Sequence, residues 1–393
     1  MKIAMIGQKG IPAIHGGVEK HVHDLSVRLV ERGCEVTVYA RKWYTGSRGT
    51  DYIEGVKRIH TPTIRTKHLD AIVHVFTSTI HALFSKYDVI HYHSVGPALL
   101  AWIPRIFSPR TRVIITLHSL DRLQQKWGRL AQYVLKLGEK AACFFADETI
   151  TVSKQLQAYA LREYHVETIF IPNGIEVPKV SHGDVEHIKS FGLSKDKYIV
   201  MVSRLLPNKG AHILIEAFKL LKERYREDTT IQSLKLAIVG GAVYTDKYVR
   251  TLHTLAGSVN DIIFTDFQTS GVLQELFQNA WALVHPSFNE GLPFSVLEGM
   301  SYGLPVLLSS IPEHQDMISD PRIFFKENDV ESLVECLVRF VHMTNAERKL
   351  IGKNNKAIIL EYYDIENVVT KIEQVYKNSI SEKSLRISEE STS

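Results

Sequence analysis

Short runs rich in β-branched residues alternate with longer amphipathic segments along most of the chain, and this alternation constrains the fold more than any other feature. The first part of the chain contains runs such as EVTVYA at 35–40 and RVIITLH at 112–118, and the second part contains YIVMVSR at 198–204. Continuous apolar strands that alternate with helices are typical of parallel sheets covered by helices on both faces. The sequence therefore predicts an α/β fold with doubly wound parallel sheets.

The series of strands and helices restarts near the middle of the chain. The segment IPNGIEVPK at 171–179 contains two prolines and an Asn-Gly pair, which is typical of a linker, and a second series begins at Tyr198. A length of 393 residues is also more than one core usually holds. We predict two tandem Rossmann-like domains, at 1–172 and 173–360, that bind a ligand in the cleft between them.

The end of the chain divides into an amphipathic segment and a polar segment. ILEYYDIENVVTKIEQVYKNSI at 359–380 has the spacing of apolar residues that is typical of a helix, whereas SEKSLRISEESTS has no periodicity. We predict a helix over 361–380 and a disordered tail over 381–393.

Composition and charge indicate where in the cell such a protein is found and which partners it can bind. No run of about 18 apolar residues is present, and MKIAMIG enters a strand directly, without the features of a signal peptide. Three scattered cysteines cannot form a disulfide framework, which suits the cytoplasm. Residues 1–172 carry a net charge of +9 and the remainder −5. The basic first domain either meets an anionic partner, such as a membrane surface, or has an ordinary solvated surface.

Two glutamates bracket a turn that opens a helix in NEGLPFSVLEG at 289–299. Pro293 suits the start of that helix, because it lacks the N–H group that would have no partner there. The free N–H groups from Leu292 onward would form an anion site. Glu290 and Glu298 would then accept hydrogen bonds from two hydroxyl-bearing rings, a sugar and a ribose. The alternative is that both are solvated surface acids.

A second motif, SRLLPNKG at 203–210, follows the first strand of the second domain. Arg204 ends this strand and Lys209 stands at the expected start of a helix, so that the two cations could neutralise a diphosphate. The alternative is a surface loop with two solvated bases.

The first domain contains a glycine-rich loop, GQKGIPAIHGGVEKH at 7–21. Its glycines do not follow G-x-G-x-x-G, and no acid stands at the end of the second strand, so an NAD site is disfavoured. Gly16 and Gly17 would let a ligand approach the backbone closely.

Three histidines lie at the ends of strands in the first domain. His118 in TLHSLD is either a residue that faces the cleft, with Asp121 near it, or a structural histidine. His91 and His93 share one face of a strand, but no carboxylate or cysteine completes a metal site with them. The sequence therefore predicts no metal.

Together these motifs resemble family 4 of the retaining glycosyltransferases, which have the GT-B fold, and the first domain resembles a rhamnosyltransferase-like bacterial subgroup. The resemblance covers nearly the whole chain and is most specific in the Glu-X7-Glu segment. It implies transfer of a sugar, with retention and without metal or other cofactor, from a nucleotide-diphosphate sugar to a saccharide or lipid-linked acceptor in polysaccharide biosynthesis. It also implies a final helix that crosses back to the first domain.

The resemblance implies a role for each motif. Arg204 and Lys209 would bind the diphosphate, Glu298 the ribose and Glu290 the hydroxyls of the transferred sugar. His118 would face the reacting carbon. The implied catalytic residues are His118, Glu290, Arg204 and Lys209, and the implied donor-binding residues are Gly16, Gly17, Arg204, Lys209, Glu290, Gly291, Leu292, Pro293, Phe294 and Glu298.

Other classes of protein remain as alternatives. A nucleotide-sugar epimerase of the same fold needs catalytic carboxylates, which these motifs do not supply, and a phosphorylase needs a phosphate or a lysine-bound cofactor. A non-catalytic sugar-nucleotide-binding protein would keep the fold but lose charged site residues, and this chain has a charged residue at each of those positions.

The segment WIPRIFSPRTR at 102–112 mixes apolar and basic residues, which suggests either peripheral contact with an anionic membrane or an ordinary helix end. No nucleic acid partner is expected.

Overall fold

A computed structural model describes residues 1–14, 16–46, 49–64, 66, 69–123, 128–178, 185–242, 245–257 and 259–390 of the chain. It divides the chain into two units. Unit 1 consists of Met1–Gly174 and Ile365–Ser393, and unit 2 consists of Ile175–Asp364.

The described residues of unit 1 form one sheet of eight strands. These strands are β1 Lys2–Ile6, β2 Glu35–Arg41, β3 Thr50–Ile53, β4 Val56–Thr61, β5 Val89–His93, β6 Arg112–Leu117, β7 Glu148–Thr151 and β8 Ile169–Phe170. Their order in the sheet is β3-β4-β2-β1-β5-β6-β7-β8, and only β3 and β4 are antiparallel among the paired strands described. The strand order reverses between β1 and β5, which places the ends of these two strands beside each other.

Helices cover the sheet of unit 1 because its central strands are apolar on both faces; every residue of β5 and β6 is buried. The α-helices are Gly17–Glu31, Lys42–Thr45, Leu69–Leu83, Val95–Ala98, Trp102–Phe107, Arg129–Phe145, Lys154–Tyr164 and Ile365–Glu390, with a 3-10 turn at Asp121–Leu123.

The last helix, Ile365–Glu390, packs within unit 1, although most of unit 1 lies at the other end of the sequence. Ile372 and Tyr376 are buried in the same core as the first strand. Arg32 also forms ion pairs with Glu366 (2.6 Å) and Glu373 (3.4 Å) of this helix. The predicted return of the final helix to the first domain is therefore confirmed.

The bounds of this last helix differ from the predicted ones. A π-helix at Ile359–Tyr363 and an extended Asp364 (φ −60°, ψ 130°) precede it, so the amphipathic segment is not one continuous helix. The helix also extends to Glu390, whereas the sequence predicted an unstructured tail from residue 381; residues 391–393 lie outside the described residues.

The described residues of unit 2 form a sheet of six parallel strands. They are β9 Tyr198–Val202, β10 Lys235–Val239, β11 Ile262–Asp266, β12 Ala282–His285, β13 Val306–Ser309 and β14 Phe324–Phe325. Their order is β11-β10-β9-β12-β13-β14, which is the doubly wound order of a Rossmann sheet, with its reversal between β9 and β12. The prediction of two doubly wound parallel-sheet domains is confirmed.

Helices lie on the sheet of unit 2 and complete its core. The α-helices are Glu186–Ser190, Ala211–Arg224, Thr229–Ser233, Asp246–Ala256, Ser270–Asn279, Phe294–Ser301, Pro312–Gln315, Val330–Val341 and Asn345–Ile358, with 3-10 turns at Pro207–Lys209 and Pro321–Ile323. In the described part of either unit, no helix has both the length and the apolar character needed to cross a bilayer.

Candidate active site

The motifs of the second domain meet where the strand order of unit 2 reverses. Arg204 and Lys209 follow β9, and the loop at 286–293 follows β12, the neighbouring strand. In open α/β sheets, ligands bind at the carboxyl ends of the strands at this reversal, because the loops on its two sides separate there and leave a crevice. The topology of unit 2 therefore gathers the two motifs at its expected binding position.

Close backbone contacts hold these two loops against each other. Gly210 has a φ of 73°, and a Cβ atom on it would lie 2.1 Å from the carbonyl oxygen of Pro286. Phe288 N donates to the carbonyl oxygen of Asn208 at 2.9 Å. A side chain at residue 210 would separate the loops, since it needs both an unfavourable φ and space that the backbone occupies. The contact brings Lys209 beside the loop after β12.

A buried ion pair lies between these loops. Lys209 Nζ donates a hydrogen bond to Glu290 Oε1, and His285 Nε2 donates to the same oxygen at 2.8 Å. The side chains of Lys209, Glu290 and His285 are 13%, 8% and 2% exposed. Burial acts to raise the pKa of Glu290, but the charge of Lys209 and the hydrogen bond from His285 outweigh it and hold this pKa well below its usual range.

The two oxygens of the Glu290 carboxylate differ in their surroundings. Oε1 accepts from both Lys209 and His285, while Oε2 accepts no hydrogen bond from the residues that the structure describes. Glu290 is therefore an anion with one oxygen that is available to a ligand. Such an oxygen accepts hydrogen bonds from hydroxyl groups, and its geometry is fixed before the ligand binds.

A helix begins four residues after this carboxylate. Pro293 is the N-cap and Phe294 is the first residue of the helix Phe294–Ser301. Within the described part of the chain, the N–H groups of Gly291, Leu292 and Phe294 find no hydrogen-bond acceptor. Free N–H groups at a helix N-terminus bind anions, since the helix dipole also favours negative charge there.

Arg204 and Glu298 lie near the same loops but are less enclosed. Arg204 stands two residues past the end of β9, and its residue is exposed. Glu298 lies in the helix that begins at Phe294 and is partly buried, and its carbonyl oxygen accepts from Ser301 Oγ at 2.7 Å. Glu298 lies in the predicted helix, whereas Arg204 lies beyond the strand that the sequence predicted it to end.

Sequence reasoning missed two histidines at this position. His285 ends β12 and hydrogen-bonds Glu290, and His314 Nδ1 lies 2.8 Å from the carbonyl oxygen of Ser309. The rings of His285 and His314 are 5.3 Å apart. Burial, together with His285, lowers the pKa of His314 to about 3, so this ring is neutral at pH 7. A histidine at the carboxyl end of an apolar strand was the available signal.

The predicted residues of the first domain lie in unit 1. Gly16 is the N-cap of the helix Gly17–Glu31 and has a φ of 108°. A Cβ atom on Gly16 would lie 2.0 Å from Glu19 Oε2, and Glu19 Oε1 accepts from Lys9 N at 3.2 Å. The loop therefore requires a glycine at position 16 for its own structure. Gly17 begins the helix.

His118 lies within a buried group of histidines at the ends of β5 and β6. His118 Nε2 is 3.2 Å from His93 Nδ1, and the ring of His21 is 5.1 Å from that of His118. Burial, followed by the nearby His21 and His91, lowers the pKa of His118 well below its usual value. Asp121, which the sequence placed near His118, accepts from Ser119 Oγ at 2.8 Å.

In comparison with known proteins, two consecutive parts of the chain each match a glycosyltransferase family. Residues 15–178 match Glycosyltransferase Family 4, and residues 184–357 match Glycosyl transferases group 1. The chain is 25% identical over 317 residues to the UDP-Gal:alpha-D-GlcNAc-diphosphoundecaprenol alpha-1,3-galactosyltransferase of Escherichia coli. That alignment covers 76% of this chain and 77% of the relative.

Two solved structures agree with the fold over nearly its full length. Sucrose-phosphate synthase from Thermosynechococcus elongatus aligns with a TM-score of 0.81 and 21% identity, covering 97% of this chain and 99% of that one. Anabaena HepE in complex with UDP and glucose aligns with a TM-score of 0.77 and 20% identity, covering 96% and 100%. The chain is therefore a glycosyltransferase with the GT-B fold, in which a part that matches Glycosyltransferase Family 4 precedes a part that matches Glycosyl transferases group 1.

Proposed function

We propose that the protein transfers a hexose from a nucleotide-diphosphate sugar to a saccharide or lipid-linked acceptor, with retention of the anomeric configuration and without a metal ion. The observation that carries the proposal is the buried Glu290 carboxylate, held at one oxygen by Lys209 and His285 and placed before the free N–H groups of a helix. This arrangement offers an acceptor for sugar hydroxyls and donors for a diphosphate within one loop.

The chemistry follows from where charge develops. Cleavage of the sugar–phosphate bond places negative charge on the departing diphosphate, and fixed positive groups stabilise that charge as it forms. Lys209, Arg204 and the N–H groups of Leu292 and Phe294 supply such groups in unit 2. Because these groups carry the charge that a metal would otherwise supply, the proposed transfer requires no metal.

Glu290 is assigned to the hydroxyls of the transferred sugar through its free Oε2. Glu298, on the helix Phe294–Ser301, is assigned to the ribose of the nucleotide. Front-face attack, in which the leaving phosphate helps to remove the acceptor proton, accounts for retention without a carboxylate nucleophile. The role of His118 at the reacting carbon stays a prediction, as does membership of a rhamnosyltransferase-like subgroup.

The donor and acceptor classes follow from the relatives. The Escherichia coli relative is named for UDP-Gal and a diphosphoundecaprenol acceptor, and the Anabaena structure contains UDP and glucose. UDP-hexoses are therefore the first donors to test, and bacterial glycoconjugate or polysaccharide biosynthesis is the proposed process. An epimerase is not favoured, since it would change the donor sugar without an acceptor.

We propose that unit 1 contacts an anionic membrane peripherally, from the cytoplasmic side, where a lipid-linked acceptor would be found. The proposal is supported by apolar side chains that remain exposed on two helices of unit 1. Leu130 and Tyr133 of the helix Arg129–Phe145 are 79% and 62% exposed, and Lys136 and Lys140 on this helix are also exposed. Trp102, Ile106 and Phe107 of the helix Trp102–Phe107 are exposed as well. Apolar and basic side chains on one helix are typical of interfacial segments.

Transfer is tested with radiolabelled UDP-galactose and UDP-glucose, lipid-diphosphate-linked acceptors and excess EDTA. We expect a labelled product whose anomeric proton has the coupling constant of the donor's configuration. A product with inverted configuration would contradict retention, and activity that disappears in EDTA and returns with Mg²⁺ or Mn²⁺ would contradict the metal-free site.

Membrane contact is tested separately, by sedimentation with vesicles of phosphatidylglycerol and of phosphatidylcholine. We expect binding to the anionic vesicles that decreases at least threefold in the variant Leu130→Ser/Tyr133→Ser. The matched control is Leu350→Ser, another exposed apolar side chain, which lies in unit 2 (53% exposed). Equal binding by all three proteins would exclude this surface.

A further inference from the structure

Three buried histidines from three different elements meet in unit 1. His21 lies on the helix after β1, His93 ends β5, and His118 follows β6. One ring nitrogen from each lies within 4.8 Å of the other two. The group lies at the carboxyl ends of the strands where the order of the unit 1 sheet reverses, which is the general binding position of such sheets.

Several nitrogens of this group have no partner in the folded chain. Both ring nitrogens of His21 and Nε2 of His93 are buried and form no hydrogen bond with the described residues. The side chain of His91, by contrast, is satisfied at both nitrogens by Tyr376 (2.6 Å) and Thr116 (2.7 Å). Buried polar atoms nearly always have a partner, and an ion bound by all three rings would supply one to a ring nitrogen of His21.

We propose that His21, His93 and His118 together bind one divalent transition-metal ion of the Zn²⁺ type. Neutral imidazole is the form that coordinates such ions, and burial lowers the pKa values of these rings, that of His21 to about 4. Three histidines are also a common ligand set for zinc, which leaves the fourth position to water or another ligand.

The geometry requires only a local adjustment. Zinc–nitrogen bonds of about 2.1 Å place the ligand nitrogens of a tetrahedral site about 3.4 Å apart. His93 Nδ1 and His118 Nε2 are already 3.2 Å apart, so the ion takes the place of the proton between them, and that proton moves to the other nitrogen of the ring that carried it. The three ligand atoms lie within 4.8 Å of one another, so the approach that remains to the spacing of a tetrahedral site is small.

The ion has a predicted consequence for activity, and this consequence alone rests on the proposed function. It occupies the side chain of His118, for which a role at the reacting carbon is predicted, while the transfer itself needs no metal. We therefore expect Zn²⁺ to inhibit transfer reversibly. Binding of the ion does not depend on any catalytic assignment and is measured independently.

The test is titration of the tag-free, metal-stripped protein with Co²⁺ and Zn²⁺. We expect one equivalent of Co²⁺ to produce the intense visible absorption of a tetrahedral site, and one equivalent of Zn²⁺ to remove it. His21→Gln and His118→Gln should each weaken the apparent affinity at least tenfold. His23→Gln is the matched control, because His23 lies on the same helix but contacts Glu54 at 3.2 Å.

Circular dichroism and the melting temperature of each metal-free variant show whether it is folded before titration. The proposal is overturned if the folded wild type shows no tetrahedral cobalt spectrum, or if folded His21→Gln keeps the wild-type affinity. In the activity assay, Zn²⁺ should inhibit the wild type and His23→Gln at the concentration at which it binds. Stoichiometric binding without inhibition would leave the metal site in place and contradict only the predicted role of His118.

Discussion

The two units reverse their strand order in the same way but present different chemistry at the reversal. In unit 2 the loops there carry a buried ion pair, Lys209 and Glu290, and a helix N-terminus with free N–H groups. In unit 1 the corresponding position carries three buried histidines whose pKa values are lowered, beside an ion pair between Lys9 Nζ and Glu19 Oε1 at 3.4 Å. The shared topology therefore determines where a ligand binds, while the side chains determine which ligand. Fixed charge suits a diphosphate, and neutral imidazoles suit hydroxyl groups or a metal ion.

The largest effect is expected when the cation of unit 2 is removed. Lys209→Met should lower transfer about 10³-fold, because a charge that stabilises the leaving diphosphate is lost. It should also reduce the free energy of unfolding by about 3 kcal/mol, because Glu290 remains buried without its partner. The double variant Lys209→Met/Glu290→Gln should recover most of the stability and none of the activity. Recovered activity would show that Lys209 serves only the fold.

A smaller loss is expected for Glu290→Gln, about 100-fold in transfer, since the amide keeps the shape but not the charge-assisted hydrogen bonds. Glu335→Gln, an exposed glutamate on the helix Val330–Val341, is the matched control and should match the wild-type rate. Steady-state rates with saturating donor measure the effect. A Glu290→Gln enzyme with the control's rate would remove Glu290 from the site.

The effect of Glu290→Gln on the free energy of unfolding should depend on pH. The pKa of Glu290 is depressed in the folded state, so its ionisation contributes stability above the ordinary value of 4.5, and this contribution is lost as the pH falls below 4.5. Urea unfolding of wild type and Glu290→Gln should differ by a constant amount from pH 7 to about pH 5.5 and converge in more acidic solution. A difference that grows on acidification would contradict the ion pair.

Arg204 is exposed, and its expected effect is smaller again. Arg204→Gln should raise the KM for the donor, because a positive charge near the diphosphate is lost. The rise should be only about tenfold, because solvent screens the exposed charge of Arg204. Its control is Arg250→Gln, another exposed arginine of unit 2. An unchanged KM would mean that Lys209 and the helix N-terminus bind the diphosphate alone.

The smallest effect concerns unit 1 and its last helix. Tyr376→Phe removes the hydrogen bond to His91 Nδ1, and we expect a loss of about 1–2 kcal/mol in the free energy of unfolding. Tyr362→Phe, at an exposed position, should change it by less than about 0.5 kcal/mol. If both variants unfold identically, the Tyr376 hydroxyl contributes nothing to the attachment of this helix.

Most of the fold was accessible from the sequence, because buried parallel strands are long apolar runs that periodicity detects. The hairpin of β3 and β4 was missed. Its strands are TDYI and VKRIHT, which lack a continuous apolar run, and its turn is Glu54-Gly55, with φ values of 49° and 81°, in place of the more familiar Asn-Gly. The break at Asp364 was also missed, since an amphipathic pattern continues through it.

The site was predictable in its charged part and not in its histidines. Glu290 and Lys209 stand in motifs with recognisable spacing, so the sequence indicated both. The pairing of His285 with Glu290 depends on the conformation of the loop after β12, and the meeting of His21 with His93 and His118 depends on which strands are neighbours in the sheet. A single sequence carries no signal of that adjacency, which is why His91 and His93 alone were weighed as a metal pair.

The central claim is that the Lys209–Glu290 site of unit 2 binds a nucleotide-diphosphate sugar without a metal. The most direct test is the melting temperature of the wild type and of Lys209→Met/Glu290→Gln with UDP-, GDP-, ADP- and dTDP-sugars, each with and without EDTA. We predict that one nucleotide sugar stabilises the wild type equally in both conditions and leaves the double variant unchanged. Stabilisation that EDTA removes, or that the double variant retains, would contradict the claim.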